Sequence, residues 1–375
     1  MNASILEHFK PLPDPRVDRT KRYPLMEIIL LFIAATVSGC EGWKQIKDFG
    51  DTKLWWLRKY LPYQQGIPVD DTLARTISRL DTKAFQLCFM SWMKGVAEAT
   101  ENDIVAIDGK TLRRSYNPKD NKAAIHMVSA WSTANGVVLG QEKTSEKSNE
   151  ITAIPLLLDI LDLKGCIVTI DAMGCQREIA ELIVDKKADY VLALKGNQPS
   201  LHEEVKTFFE LAKQEGFDNV KHDYYQDVDT GHGRIETRSC WVVPANPKHF
   251  PSMSKWPKIK TLSMVMSVRE LQNGKITQDC RFYISSLDTQ AQHLLSITRQ
   301  HWAVENSLHW TLDMTFREDE SRIRKGQAPE NFAIMRHIAL NLLKRDTSVE
   351  ASVKRKRMLA ALNDDLRSTL VEQVF

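Results

Sequence analysis

Thr169–Gln176 reads TIDAMGCQ. It closes an apolar run, Cys166–Ile170, with one carboxylate, Asp171, and then turns. Asp103–Ser115, DIVAIDGKTLRRS, does the same: Ile104–Ile107 is apolar and is followed by Asp108 and Gly109. A short apolar run bounded by turn residues reads as a strand covered on both faces. A lone aspartate at such an end is commonly a turn residue. Two of them, each closing a strand of this kind, call for a second reading.

Outward from these two runs the texture is consistent. Residues 103–112 read as a strand, followed by strands over 123–133 and 136–144. Asn135-Gly136 between the last two is a strong hairpin signal. A helix over 149–163, a strand over 165–171, a helix over 176–188 and a strand over 189–196 complete the series. Three strands, then helix, strand, helix, strand, predict an α/β fold: a mixed sheet flanked by helices. In this order the strands ending on Asp108 and Asp171 are neighbours, and ligands gather at the carboxyl ends of such strands. The two carboxylates would meet and repel unless a cation lay between them. Oxygen-only donors favour Mg²⁺ or Mn²⁺, with substrate phosphate among the ligands. That chemistry points to phosphoryl transfer.

A third carboxylate is expected from a helix packed over the strand ends. Glu305, in RQHWAVENSLHWTLD (299–313), is the best choice. His301, Glu305, His309 and Asp313 recur every four residues and would share one helix face. Trp302, Leu308 and Leu312 would fill the apolar remainder. Two other readings stand beside this one. The stripe would hold Zn²⁺ by itself, although it lacks the His-Glu-x-x-His spacing, or it is a solvated face.

The chain has 375 residues, 43% hydrophobic and 26% charged, with net charge +3. That suits one large core or two to three units. Any nucleic-acid surface must therefore be a local patch. The six cysteines have no paired spacing, which argues against a disulfide framework or zinc ribbon and fits a cytosolic compartment. No signal peptide is expected at the N-terminus. Leu25–Cys40, the most apolar stretch, is shorter than the roughly 20 residues a span needs, so a buried helix and no membrane are expected. Residues 1–99 read as a helical domain, with a DNA-reading helix-turn-helix and a plain packing domain left equally open. Residues 197–292 read as a β-rich insertion, 100–346 as the domain that contains it, and 347–375 as a basic tail with Lys354–Arg357, KRKR.

Several cations are candidates for DNA phosphate. Lys110, Arg113 and Arg114 follow Asp108, and Lys195 and Asn197 follow the last core strand. Arg234 and Arg238 alternate with Glu236 on one strand; phosphate contact competes there with a cross-strand salt bridge. Arg322, Arg324, Lys325 and KRKR would add affinity that falls with salt, though a lone basic run is more often just solvated. His126 reads as a satisfied core histidine, and Glu150 as a first-turn helix residue stabilised by the helix dipole.

These residues also carry a resemblance. AIDGKTLRRSY, EKSNEITAIPLLLDILDLKGCIVTIDAMGCQREIAE, YVLALKGNQP, GHGRIETR, YISSL and the long RQHWAVENSLHW segment resemble the H-repeat-associated transposases, insertion-sequence enzymes of the DDE superfamily. LPDPRVDRTKRYPLMEIILLF resembles that family's associated N-terminal domain. The resemblance implies a ribonuclease-H-like core, with Asp108, Asp171 and Glu305 as the acidic triad and as ligands of two Mg²⁺ or Mn²⁺ ions. It implies cleavage of double-stranded DNA at terminal repeats, strand transfer into target DNA, a homodimer in the active complex, and action at the bacterial nucleoid. A Tyr-x-x-Arg-x-x-x-Glu-x6-Lys signature is common in relatives. Here those positions hold Thr298, His301 and Leu312 around Glu305, with Arg299 and His309 nearby as substitutes. A nuclease without strand transfer and a silent DNA-binding remnant are the alternatives.

Overall fold

The computed structural model describes residues 5–96, 102–116, 123–144, 150–231 and 233–372. In chain order the elements are α1 (Ile5–Phe9), α2 (Leu25–Val37), α3 (Trp43–Thr52), α4 (Leu54–Leu57), α5 (Asp70–Arg79) and α6 (Thr82–Val96). Then come β1 (Ile104–Thr111), β2 (His126–Ser132), β3 (Val137–Thr144), α7 (Glu150–Ile160), β4 (Ile167–Ile170), α8 (Arg177–Asp185), β5 (Asp189–Leu194) and α9 (Pro199–Gln214). The chain continues through β6 (Asp223–Gly231), β7 (Arg234–Pro244), β8 (Thr261–Leu271), β9 (Ile276–Ser285) and α10 (Ala291–Val304). A π-turn (Glu305–His309), α11 (Trp310–Met314), α12 (Ala328–Arg345), α13 (Val353–Leu362) and α14 (Asp364–Glu372) complete it. Two compact units result: residues 1–98, 109–149 and 305–375 form one, and 99–108 and 150–304 the other.

In the first unit α2 is apolar on every side, and every residue in it except Met26 is buried. A helix of that kind must sit at the centre of its unit. Phe32 of α2 meets Phe332 of α12 edge-on, ring centres 4.9 Å apart. The one acid in α2, Glu27, is buried but accepts a hydrogen bond from the Tyr63 amide at 2.7 Å. Among the described residues no helix is long and apolar enough to cross a membrane. The β2–β3 hairpin turns at Gly136 with φ +64°, as Asn-Gly requires. Asn341 of α12 clamps its second strand through both the amide and the carbonyl of Val138, each at 2.9 Å. Packing thus groups the N-terminal helices with α12–α14, whereas sequence texture suggests a break near residue 99.

In the second unit β1 pairs in parallel with β4, and β4 with β5. β9 then joins β5 antiparallel, and β8, β7 and β6 follow outward. The expected order of strands and helices is present. Within the segment 197–292, β9 returns to β5 and the other three strands extend the same sheet. β6 is new relative to the sequence reading. DYYQDVDTG does not alternate hydrophobic with polar, since β6 is a largely exposed edge strand held by its pairing with β7. Its aspartates keep such an edge from pairing with other chains.

Candidate catalytic site

The parallel register sets Ile104–Ile107 against Ile167–Ile170, ending on the pair Ile107 and Ile170. Asp108 and Asp171 are the next residue on each strand. Adjacent strands lie about 4.8 Å apart, so the two backbone positions are neighbours, and both side chains are half-buried.

The turn after Asp171 fixes its carboxylate. Oδ1 accepts from the Met173 amide at 3.0 Å and the Gly174 amide at 3.3 Å. The chain then folds so tightly over β4 that a Cβ on Gly174 would lie 2.3 Å from Ile170 Cγ2 and 2.9 Å from Ile154 Cδ1. From the loop after β5, Asn197 donates to the Ala172 carbonyl at 2.6 Å and Gln198 to the Cys175 carbonyl at 3.0 Å. Asn197 therefore braces the Asp171 turn, and Lys195 stands exposed beside it in sequence. Burial, reinforced by Asp171, pushes the Cys175 thiol well above its ordinary value, which keeps it unreactive. His301 of α10 pairs through Nδ1 with Thr169 Oγ1 at 3.0 Å, two residues before Asp171.

Glu305 follows Val304, the end of α10, and opens the π-turn. Its side chain is 63% exposed, whereas His309, 6% exposed, directs Nδ1 toward Glu305 Oε2 at 3.4 Å. Of the expected four-residue stripe, Glu305 and His309 are adjacent across the π-turn, while His301 pairs with Thr169 and Asp313 with Lys110. Trp302, expected to pack, is 49% exposed, with the Arg281 guanidinium 4.3 Å over its ring.

The other cations divide into engaged and open. Lys110 is only 11% exposed; its Nζ meets Asp313 at 2.7 Å, Glu318 at 3.1 Å and Asp319 at 3.2 Å. Burial disfavours the ammonium, but these three carboxylates outweigh it and hold Lys110 above the ordinary lysine pKa. Glu318 also meets Arg336 of α12 at 3.4 Å. Burial opposes ionisation of Glu318, yet Lys110 and Arg336 pull it below the ordinary carboxylate range. Arg238 meets Glu236 at 2.7 Å, and Arg234 meets it at 3.6 Å, so the salt-bridge alternative describes this strand. Arg299 meets Asp227 at 2.6 Å beside a groove of about 360 Å³ between α10 and β6. Arg113, Arg114 and Arg322 are exposed, Arg113 while paired with Asp319 at 3.1 Å. Arg324 joins their loops by donating to the Arg114 carbonyl at 2.8 Å and stacking on Tyr116. His126 is the satisfied core histidine expected, paired with Thr111 Oγ1 at 2.8 Å.

KRKR is not a solvated tail. It lies in α13, and Lys356 and Arg357 are buried. Arg357 donates to the Thr36 carbonyl at 3.0 Å and to Glu41 at 2.9 Å, with Phe316 beneath its guanidinium. Glu318, Arg336 and Gly174 were not singled out from sequence. The signal for Arg336 was present: a cation inside the apolar run of α12 requires a buried partner.

The family description "Transposase DDE domain" matches residues 99–342, and "DDE_Tnp_1-associated" matches 6–93. The chain belongs to the DDE transposase family, in its H-repeat-associated branch, with the ribonuclease-H-like core of that family. It is similar to the "Putative transposase YncI" of Escherichia coli O157:H7, 45% identical over 96% of this chain and 92% of that protein. It is also similar to the "H repeat-associated putative transposase YhhI" of Escherichia coli K12, 42% identical over 96% and 95%. The "Inactive transposase YbfQ" of the same strain is 44% identical over 20% of this chain and 89% of its own length.

Proposed function

We propose that the chain cuts double-stranded DNA at the terminal repeats of its own insertion sequence and joins the freed ends to target DNA. The observation that supports this reading is the β1–β4 register, in which Asp108 and Asp171 directly follow the paired residues Ile107 and Ile170 of neighbouring parallel strands. Glu305 is the third acid. The donor chemistry fits a hard divalent cation: all three groups offer carboxylate oxygen, and Asp171 is preset by two backbone amides. Asp108, Asp171 and Glu305 would hold two Mg²⁺ or Mn²⁺ ions. Such ions, when bound, stabilise charge on the attacking and leaving oxygens of an in-line displacement at phosphorus.

The remaining groups position and bind. His301 holds Thr169 and, with it, the end of β4. Arg114, Arg322 and Lys195 are the exposed cations for phosphate, and Arg113 reaches it from its pair with Asp319. Arg234, Arg238 and Arg299 reach DNA only by exchanging a carboxylate for a phosphate. His309 and Asp313 are auxiliary. The active complex is a homodimer on paired element ends, acting in the cytoplasm at the nucleoid.

One second reading is favoured by a specific observation. Thr298, His301 and Leu312 replace the tyrosine, arginine and lysine of the common signature, and one relative is named inactive; this leaves a DNA-binding remnant. A joining assay separates the readings. Uncut and pre-cut terminal-repeat duplexes, each with target plasmid and Mg²⁺, are expected to give cleaved and joined product with the wild type and neither with Glu305→Gln. Cleavage without joining would indicate a nuclease, and binding alone a remnant.

A further inference from the structure

Lys110 lies two residues past Asp108, where a cation is naturally read as a phosphate ligand. Its surroundings argue otherwise. The ammonium is enclosed by Asp313, Glu318 and Asp319 at 2.7–3.2 Å. Glu318, 3% exposed, is held from its other side by Arg336, 2% exposed. Arg336 in turn lies over the ring of Phe332 in the centre of its unit. A cation moving from this cage to a DNA phosphate would leave Glu318 buried and underpaired, a cost of several kcal/mol.

The cage also reaches the turn that bears Glu305. Lys110, Glu318, His309 and His337 line one small cavity of about 10 Å³, no larger than a single water. The cage and the His309 ring thus share one cavity wall. That ring is the neighbour of Glu305 on its other side. Asp313, the first carboxylate on Lys110, is itself four residues past His309.

We propose that Lys110 and Glu318 are positioning residues: their buried ion lattice ties the chain just past Asp108 to the turn carrying Glu305, and Lys110 does not contact DNA. This rests on the reading of Asp108, Asp171 and Glu305 as the acids that hold metal.

The test uses the full-length protein and two readouts apart from turnover. One is Mn²⁺ affinity by calorimetry. The other is the salt dependence of binding to terminal-repeat duplex without metal. Lys110→Met is expected to weaken Mn²⁺ binding about 10-fold or more, as loss of a group supporting metal ligands does. The slope of log K against log salt should stay at the wild-type value. A slope reduced by about one, the signature of a lost phosphate contact, with Mn²⁺ affinity intact, would overturn the proposal. Should Lys110→Met fail to fold, Asp319→Asn removes the outermost carboxylate, and unchanged Mn²⁺ affinity there would overturn it equally. No Mn²⁺ binding by the wild type would overturn the catalytic reading and this one together. Binding that Asp171→Asn abolishes and Lys110→Met leaves intact would overturn this one alone.

Discussion

Asp171 does two jobs that substitution can separate. Its Oδ1 closes a turn on two backbone amides, and its charge serves the proposed chemistry. Asparagine keeps an oxygen for the turn and loses the charge. Asp171→Asn is therefore expected to melt close to wild type while DNA cleavage falls by about 1000-fold, a loss of about 4 kcal/mol in transition-state stabilisation. Asp171→Ala should lose the cleavage and also about 1 kcal/mol of stability, as removal of a side-chain cap does. Denaturant unfolding of both variants reads the difference. Gly174 tests the same turn by shape. A methyl group there meets Ile170 and Ile154 at less than contact distance, so Gly174→Ala should cost about 1–3 kcal/mol. An unchanged midpoint would mean that the turn has room it does not show.

Among the elements, those with a clean period were legible and those shaped by partners were not. The run from Ile104 to Leu194 reads correctly because apolar strands and amphipathic helices alternate there with glycine and aspartate between them. β6 was missed because an edge strand of nine residues needs no apolar face. The π-turn was missed because a four-residue recurrence of His and Glu predicts a continuous α-helix; nothing local announces the extra residue at Glu305–His309. KRKR misleads for a related reason. Composition marks four cations, but α13 buries two of them against carbonyls and Glu41. Arg357→Met should then cost about 3 kcal/mol or more, since it leaves buried acceptors unpaired. Lys354→Ala with Arg355→Ala should stay within about 0.5 kcal/mol of wild type. Equal effects in thermal melts of the two variants would contradict the burial pattern.

At the scale of the whole molecule, acid should be the damaging direction. Burial holds His337 down at about 4, against an ordinary value of 6.5. The folded state thus refuses a proton that the unfolded chain accepts. The stability this gives is fully present above pH 6.5 and is lost as pH falls toward 4. Glu318, also held low, loses its contribution in the same direction, below the unfolded carboxylate range. For His337 the loss is about 3 kcal/mol. Urea midpoints at pH 7.5 and 4.5 should separate clearly in the wild type and less so in His337→Gln; equal separation would contradict the burial of that ring. Of the candidate site, the neighbouring positions of Asp108 and Asp171 were legible because strand order and register follow from local texture. The lattice around Lys110 was not, because it joins residues 208 positions apart in sequence. The most direct test of the central claim is cleavage of labelled terminal-repeat DNA in Mg²⁺ or Mn²⁺ by wild type and Asp171→Asn. The wild type should leave a 3′-hydroxyl end and the variant should leave the duplex intact. A variant that cuts as fast as wild type would contradict the assignment of the paired strand-end acids as the catalytic centre.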